Sequence, residues 1–219
     1  MKQRVRVWDL PTRVFHWSLV LGIAFMYYSA NNGMMERHLQ VGVFLLGLVL
    51  FRLFWGVLGS QTAQFRHFIK GPKQIKRYLT GQLTEAEQPG HNPVGALMVV
   101  ALLSLVSLQI ITGLFSPDNN TYIYSGYLNG LVSSKVGDAM LFVHQRLFWV
   151  LIGFACVHVF SILAYAALKR IDLIGPMFTG YKKIEGDTPN LRFASKGLSW
   201  VIAIIVVALI YLGHFLMQG

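Results

Sequence analysis

The chain has 219 residues, of which 54% are apolar and only 13% are charged, and its mean hydropathy is +0.52. About a quarter of the residues in a soluble domain are charged, so this composition argues against a soluble enzyme. The net charge of +10 is spread between long apolar runs and forms no single basic stripe, which argues against a nucleic-acid-binding protein. The composition favours an all-α integral membrane protein with basic cytoplasmic loops, surrounded by membrane lipid.

Five windows of mainly apolar sequence are each long enough to cross a bilayer, which requires about 20 residues. They cover residues 14–30, 39–58, 94–115, 140–168 and 197–217. The first window is expected to stay in the mature protein, because no small-residue cleavage site is evident near Tyr28 to Ala30. The sequence therefore predicts five transmembrane helices.

Lysine and arginine divide unequally between the two sides of these helices. Fifteen lie in the N-terminal arm and in the second and fourth loops, whereas only Arg37 and Lys135 lie on the other side. Two more, Arg52 and Arg146, lie within predicted spans. Because cytoplasmic loops retain positive charge, the N-terminus is expected in the cytoplasm and the C-terminus outside.

Four of the seven histidines lie within the predicted spans or at their edges. His144 and His158 are 14 residues apart on the fourth span, which on an α-helix gives one shared face and a rise of ~21 Å. Matching depths predicts that His16 pairs with His158 near the inner side and that His38 pairs with His144 near the outer side. The other three, in loops or at a helix end, are expected to face solvent or the membrane interface; they are His67, His91 and His214.

Two imidazoles without a carboxylate or thiolate are a poor ligand set for zinc, but they complete the two axial positions of a haem. The only cysteine, Cys156, excludes an internal disulfide and a thiolate iron–sulfur site. Haem propionates need cationic or hydrogen-bonding partners. Arg52 and Arg146 are candidates for that role, and snorkelling to the lipid head groups is the open alternative.

Several short segments, taken in order, carry a family resemblance. Residues 7–17, VWDLPTRVFHW, resemble the start of bacterial di-haem cytochrome b561 proteins and of the b-type cytochrome subunits of nickel-iron hydrogenases. The similarity extends over about residues 5–183, through the segments 38–42, 50–56, 90–93, 112–115, 143–145 and 157–158. Where family members often have Glu after the third of the four histidines, this chain has Gln145, which leaves a carboxylate role there unsupported.

The resemblance implies a four-helix core in which His16, His38, His144 and His158 are the axial ligands of two b haems. It implies a di-haem transmembrane domain over residues 1–183. The apolar window 197–217 predicts that a C-terminal loop and a fifth transmembrane helix follow over residues 184–219. The resemblance also implies a multi-pass protein of the bacterial inner membrane, with its C-terminus in the periplasm.

The expected function is transmembrane electron transfer between the quinone pool and a periplasmic redox partner, either a c-type cytochrome or a hydrogenase. Whether the chain acts as a quinone-linked oxidoreductase or as a subunit of one stays open, as does a homo-oligomer. Residues 117–138 form the largest outer loop for a partner, and the loop after the second span is a candidate cover for a quinone site. The basic stretch 68–79 within that loop is equally typical of an interfacial segment on anionic lipid.

Two other functions remain as alternatives. A small histidine-lined metal or solute transporter is expected to carry carboxylates at membrane depth, and the acidic residues here all fall in loops or at helix boundaries. A helix bundle that only anchors a partner leaves the common face of His144 and His158 unexplained.

Overall fold

The computed structural model describes residues 2–84, 86–119, 123–186 and 189–216. Most of the described chain is helical. The elements in order are β1 (Lys2–Arg6), α1 (Leu10–Asn31), α2 (Met35–Leu58), α3 (Phe65–Phe68), α4 (Pro72–Leu79), α5 (Pro93–Phe115), a 3-10 turn (Asn129–Leu131), α6 (Ser134–Lys169), α7 (Gly175–Thr179), β2 (Tyr181–Glu185) and α8 (Lys196–Leu216).

Four helices within the described residues are long and apolar enough to cross a membrane: α2, α5, α6 and α8. The expectation of a helical membrane protein is thereby confirmed. The predicted spans coincide with α1, α2, α5, α6 and α8, although residue 217 lies outside the described residues. The 22-residue α1 is not among the four, because Arg13, His16 and the polar residues near its end reduce its hydropathy. A fifth transmembrane helix therefore stays a prediction.

The chain forms two compact units. Unit 1 comprises Met1–His16, Leu50–Val100 and His158–Gly219, and unit 2 comprises Trp17–Val49 and Ala101–Val157.

Unit 1 contains a two-stranded antiparallel sheet that the all-α prediction missed. Strands β1 and β2 pair in the register Lys2 with Glu185 through Arg6 with Tyr181. Their inner side chains, Val5 and Ile184, are buried together with Val7 and Trp8. Each strand has only five residues and is strongly charged, so alternation with period two is too short to stand out in the sequence.

Gly180 lies in the turn between α7 and β2 and binds the backbone segment that follows β1. Its φ of 86° is in the left-handed region that favours glycine, and its carbonyl accepts hydrogen bonds from the backbone N–H groups of Val7 (2.8 Å) and Trp8 (3.1 Å). A Cβ at this position would lie 2.8 Å from the carbonyl oxygen of Trp8. The glycine thus permits the close approach that seats β1 beside α7.

Further contacts in unit 1 fix the ends of α2 and α8. Trp55 and Ala63 are buried against Ile202 and Val206 of α8. The Ser60 hydroxyl accepts a hydrogen bond from the backbone N–H of Ala194 at 3.0 Å. These contacts seat α8 along the end of α2.

Unit 2 has an apolar core in which the buried side chains of Val49, Val106 and Leu151 belong to α2, α5 and α6. Leu19 and Ile23 of α1 pack against it. The short segment after α5 folds back onto that helix, because the backbone N–H of Leu128 donates to the Leu114 carbonyl at 2.8 Å. Unit 2 is therefore a four-helix arrangement closed at one end by the loop that follows α5.

Candidate functional site

In unit 1, His16 of α1 faces His158 of α6. Their ring centroids are 6.5 Å apart and the ring planes are inclined by 57°. Both side chains are partly buried. The two histidines expected near the inner side are therefore brought together.

In unit 2, His38 of α2 faces His144 of α6, with ring centroids 6.3 Å apart and planes inclined by 81°. The Nδ1 atom of His38 lies 3.2 Å from the Met26 carbonyl oxygen and 3.2 Å from the Ser29 hydroxyl. Both potential acceptors belong to α1, and Ser29 is fully buried. The imidazole can donate its Nδ1–H to this pair of oxygens, which leaves Nε2 as the nitrogen with a lone pair.

His144 is oriented in the same way by α5. Its Nδ1 lies 2.9 Å from the Gln109 carbonyl oxygen and 3.3 Å from the Thr112 hydroxyl. The Gln109 side-chain amide donates to the backbone carbonyl of His144 at 3.0 Å. A ligating histidine almost always donates its other N–H to a carbonyl, carboxylate or water, so this pattern is typical of a metal-binding imidazole.

Gly113 makes room for the His144 ring. A Cβ at this position would lie 2.8 Å from the Cε1 atom of His144 and 3.1 Å from its Nδ1. Real Cβ contacts are essentially never shorter than 3.0 Å, so the first of these two distances is too short. The close approach of α5 to this imidazole thus depends on glycine.

The spacing within each pair suits one iron atom between the two rings. Metal–imidazole bonds of about 2 Å on opposite sides of one metal place the ring centroids about 6 Å apart, once the ring radii are added. Within the described residues no cluster of three or more His, Cys, Asp or Glu side chains is arranged to hold a metal ion. Two facing imidazoles at this spacing fit a metal whose remaining positions are supplied by a cofactor such as a porphyrin.

Arg52 has the character of an anion partner. Its side chain in unit 1 is 3% exposed, and its Nη1 atom is buried without a hydrogen-bond partner among the described residues. The guanidinium lies 4.8 Å from the Phe65 ring centroid and 6.0 Å from that of Phe68. A buried cation with an unused donor fits the carboxylate of a haem propionate.

Arg146 differs from Arg52 because it is exposed. Its guanidinium lies 4.8 Å from the Phe142 ring centroid, one helical turn away on α6. This environment is compatible both with a propionate partner and with snorkelling.

Gly42 lies on α2 in the same unit. A Cβ added at this glycine would lie 3.6 Å from the Met26 methyl group, which is an ordinary van der Waals distance.

His91 was expected to face solvent or the membrane interface, yet the structure places its ring between two aromatic side chains. The Trp8 and Phe68 rings are each 4.7 Å from it, and its Nδ1 atom is buried without a hydrogen-bond partner among the described residues. Burial, followed by the charge of Arg52, lowers the pKa of His91 from 6.5 to about 3, so its ring is neutral at pH 7. In the sequence, His91 is distinguished by its position in residues 90–93, one of the segments that resemble the cytochrome b561 family.

His91 also lines a cavity of about 370 Å³ in unit 1. The wall combines polar side chains with apolar ones; the polar ones include Gln61, Gln74, Gln88 and Lys70, and the apolar ones include Phe68, Leu83 and Leu191. His67 lines the same cavity, and burial followed by the nearby Arg66, Lys70 and Arg192 charges lowers its pKa. The side chain of His214 lies outside the described residues.

Comparison with known proteins gives the family. The profile of the prokaryotic cytochrome b561 family matches residues 7–180. A "Probable Ni/Fe-hydrogenase B-type cytochrome subunit" of Rhodobacter capsulatus is 22% identical, over 84% of this chain and 83% of the relative. Proteins with the same name from Azotobacter vinelandii and Azotobacter chroococcum mcd 1 are 22% and 21% identical, each over 85% of this chain and 91% of the relative. No solved structure is significantly similar to this chain.

The family match covers the four-helix region and both histidine pairs, and it agrees with the resemblance seen in the sequence. The chain therefore belongs to the prokaryotic cytochrome b561 family, a family of membrane-spanning electron-transfer proteins that carry b-type haem.

Proposed function

We propose that the chain carries electrons across the bilayer through two b haems, one ligated by His16 and His158 and the other by His38 and His144. The observation that carries this proposal is the spacing of two facing imidazole pairs, with centroids 6.5 Å and 6.3 Å apart. When bound, haem supplies an iron that accepts and releases one electron at a time. With two histidines of the chain holding each iron, the haems would transfer electrons and would not bind oxygen or a substrate.

The protein's own contribution is to orient the imidazoles and tune their basicity. In unit 2 the Met26 and Gln109 carbonyl groups can accept from Nδ1–H of His38 and His144, and each Nε2 would then hold a haem iron. Such hydrogen bonds raise the basicity of the ligand and thereby affect the redox potential. The Gln109 side-chain nitrogen lies 3.4 Å from the Nε2 of His144. The hydroxyls of Ser29 and Thr112 add a second polar contact to each ring.

We assign Arg52 as the propionate partner of the haem held in unit 1. Its burial and its unused Nη1 donor support this role. Arg52, His158 and His16 are all close enough to affect the pKa of His91, so these groups are neighbours in unit 1. The assignment of Arg146 to a propionate in unit 2 is supported only by its position two residues after His144.

We further propose that α1 is a fifth membrane-crossing helix and that the N-terminus is cytoplasmic, with the C-terminus in the periplasm. Fifteen lysine and arginine residues lie on the proposed cytoplasmic side and only two lie on the other side, which supports this orientation. It puts the His16–His158 pair toward the cytoplasm and the His38–His144 pair toward the periplasm.

A quinone is the proposed redox partner on the inner side, and the cavity beside His91 is its candidate site. The volume of about 370 Å³ lies in the range of small-ligand pockets, and its amide and imidazole groups are suited to the two oxygens of a quinone ring. A quinol releases two electrons and two protons when oxidised, so two single-electron transfers would be needed for each molecule.

A hydrogenase or a c-type cytochrome is the proposed partner on the outer side. The names of the Rhodobacter and Azotobacter relatives support a hydrogenase. The loop over residues 117–138 remains the largest outer segment available for docking, although residues 120–122 lie outside the described part of the chain.

The decisive experiment counts haem in purified protein by the pyridine haemochrome method. We expect two haems per chain in the wild type and one in each of H158A and H144A. H67A, which changes a histidine in neither pair, should retain two. One haem in the wild type, or two in either pair variant, would contradict the proposed ligand set.

A further inference from the structure

A second cavity in unit 1, of about 360 Å³, lies among the end of α6, helix α7 and the β1–β2 sheet. Four of its lining residues are cationic: Arg4, Arg170, Lys182 and Lys183. Asp172 is the acidic residue in the wall, and its Oδ1 already accepts from the backbone N–H groups of Ile174 (3.0 Å) and Gly175 (2.8 Å). The described part of the wall is therefore strongly basic, and the Asp172 carboxylate is engaged with the start of α7.

The pairing of the two strands concentrates this charge. Arg4 stands directly opposite Lys183 in the antiparallel register. Like charges in that position repel each other and destabilise a sheet. Arg4 also lies over the Tyr181 ring, 4.4 Å from its centroid, which fixes the guanidinium beside the cavity. Within the described residues, neither Arg4 nor Lys183 forms an ion pair with a carboxylate.

Arg170 reaches the cavity from an unusual backbone position. It follows the last residue of α6 with a φ of 52°, a left-handed conformation in which glycine or asparagine is ordinary. The turn continues with a 3.4 Å hydrogen bond from the Ile171 backbone N–H to the Tyr165 carbonyl. A residue other than glycine or asparagine is unfavourable in this backbone conformation, which is the pattern expected when the side chain has a role.

Apolar side chains beside the cavity are left uncovered. Leu168 near the end of α6 is 83% exposed, and Phe178 and Ile174 around α7 are 59% and 42% exposed. Helix α6 is long and apolar enough to cross a membrane, so in a bilayer its end would approach the lipid head groups. The basic wall and the exposed apolar residues together match a molecule with a phosphate at one end and acyl chains at the other.

We propose that this cavity binds the phosphate of an anionic phospholipid head group, with Arg4, Arg170 and Lys183 as the charge partners. The acyl chains would pack along Leu168 and Phe178. The bound phosphate would neutralise the repulsion between Arg4 and Lys183 and tie the sheet to the end of α6. This site is separate from both histidine pairs and does not depend on haem.

The test measures binding of a fluorescent phosphatidylglycerol to the full-length protein in neutral detergent, with a phosphatidylcholine of the same chains as the reference lipid. The test variant is R170G/K183Q, in which glycine suits the left-handed backbone position. Each cation near an anionic lipid contributes about 1 kcal/mol, or roughly fivefold in affinity, so we expect at least a tenfold loss in the double variant. K183R should retain binding within about twofold.

The control variant, K135Q/K196Q, removes the same net charge from exposed positions that do not line the cavity and should bind like the wild type. Circular dichroism verifies that each variant keeps its helices. Equal binding by wild type and R170G/K183Q, an equal loss in the K135Q/K196Q control, or equal binding of the two lipids would overturn the proposal. Inorganic phosphate that binds without any preference for phosphatidylglycerol would overturn the lipid as the source of the phosphate.

Discussion

The indole N–H of Trp55 donates a hydrogen bond of 3.0 Å to the carboxylate of Asp9, and both side chains are buried. The other Asp9 oxygen accepts from the backbone N–H of Thr12 at 2.9 Å and so caps the first turn of α1. One carboxylate thus connects the beginning of α1 to the end of α2. His16 follows on the same helix about two turns after this anchor.

Replacing Trp55 with Phe should destabilise the protein by about 1–3 kcal/mol, because a buried carboxylate oxygen loses its only indole donor. D9A should cost a similar amount through loss of the cap and of the same hydrogen bond. The measurement is thermal unfolding in detergent, and the double variant should cost less than the two single changes added together. W200F, at a position that is 70% exposed, serves as the control and should change little. Additive losses from D9A and W55F would contradict a direct coupling.

Gly113→Ala should disturb the His38–His144 pair, since the added Cβ would lie 2.8 Å from the His144 ring. We expect the haem content to fall by about one per chain, or the remaining b-type absorbance to change, while the His16–His158 site is spared. G153A is the matched control, because a Cβ there meets nothing within 4 Å and the residue lies on α6. A G113A protein with an unchanged spectrum and haem count would show that the ring can move without consequence.

Ser29→Ala should weaken the same site in a gentler way. The buried Ser29 hydroxyl lies 3.2 Å from Nδ1 of His38, and removing it leaves the Met26 carbonyl as the remaining contact. Outer hydrogen-bond partners of metal ligands typically contribute about 10–100-fold in affinity, so a loss of roughly tenfold in haem retention is expected. S107A removes a hydroxyl that donates to the Leu103 carbonyl and should leave haem retention unchanged. Equal retention in both variants would exclude a role for Ser29 in orienting the ligand.

The long elements of this fold could be predicted because apolar windows of about 20 residues are a strong signal. All five predicted windows coincide with observed helices. The short elements could not, since five-residue strands such as KQRVR carry too few apolar positions to show a period of two. The length of α6 was also underestimated, because its first turns, from Ser134 to Asp138, are polar and extend beyond the apolar window.

For the candidate site, helical geometry was sufficient to match His144 with His38 and His158 with His16. It was not sufficient for the partners that surround these rings. The hydrogen bonds from His144 to the Gln109 carbonyl and from His38 to the Met26 carbonyl involve backbone atoms, which leave no mark in a sequence. The burial of His91 between Trp8 and Phe68 joins three distant segments, and no local pattern predicts such a contact.

The stability of the protein should fall below pH 6.5 in a way that depends on His91. Burial followed by the Arg52 charge lowers the folded-state pKa of His91 from 6.5 to about 3, so between these values the unfolded chain binds a proton that the folded protein does not. The contribution is therefore fully present above pH 6.5 and is lost as the pH falls toward 3. The slope for one such group is at most about 1.4 kcal/mol per pH unit. Thermal unfolding at several pH values from 7.5 to 5 measures it, and H91Q should show a shallower slope than the wild type. Parallel slopes would rule out His91 as the source.

Arg52→Gln should lower the midpoint potential of the haem assigned to His16 and His158. A buried cation disfavours the oxidised, more positively charged form of the centre, so its removal favours that form. A tenfold change in this one-electron equilibrium corresponds to about 59 mV, and we expect a shift of that order. R52K keeps the charge but lacks the planar guanidinium group, and it should shift the potential less.

R146Q, which removes an exposed arginine, is the control and should affect the other haem weakly because water and lipid head groups screen its charge. An optical redox titration of the three variants resolves the two centres. A potential that is unchanged in R52Q, or a shift confined to the centre held by His38 and His144, would remove Arg52 from the role of propionate partner.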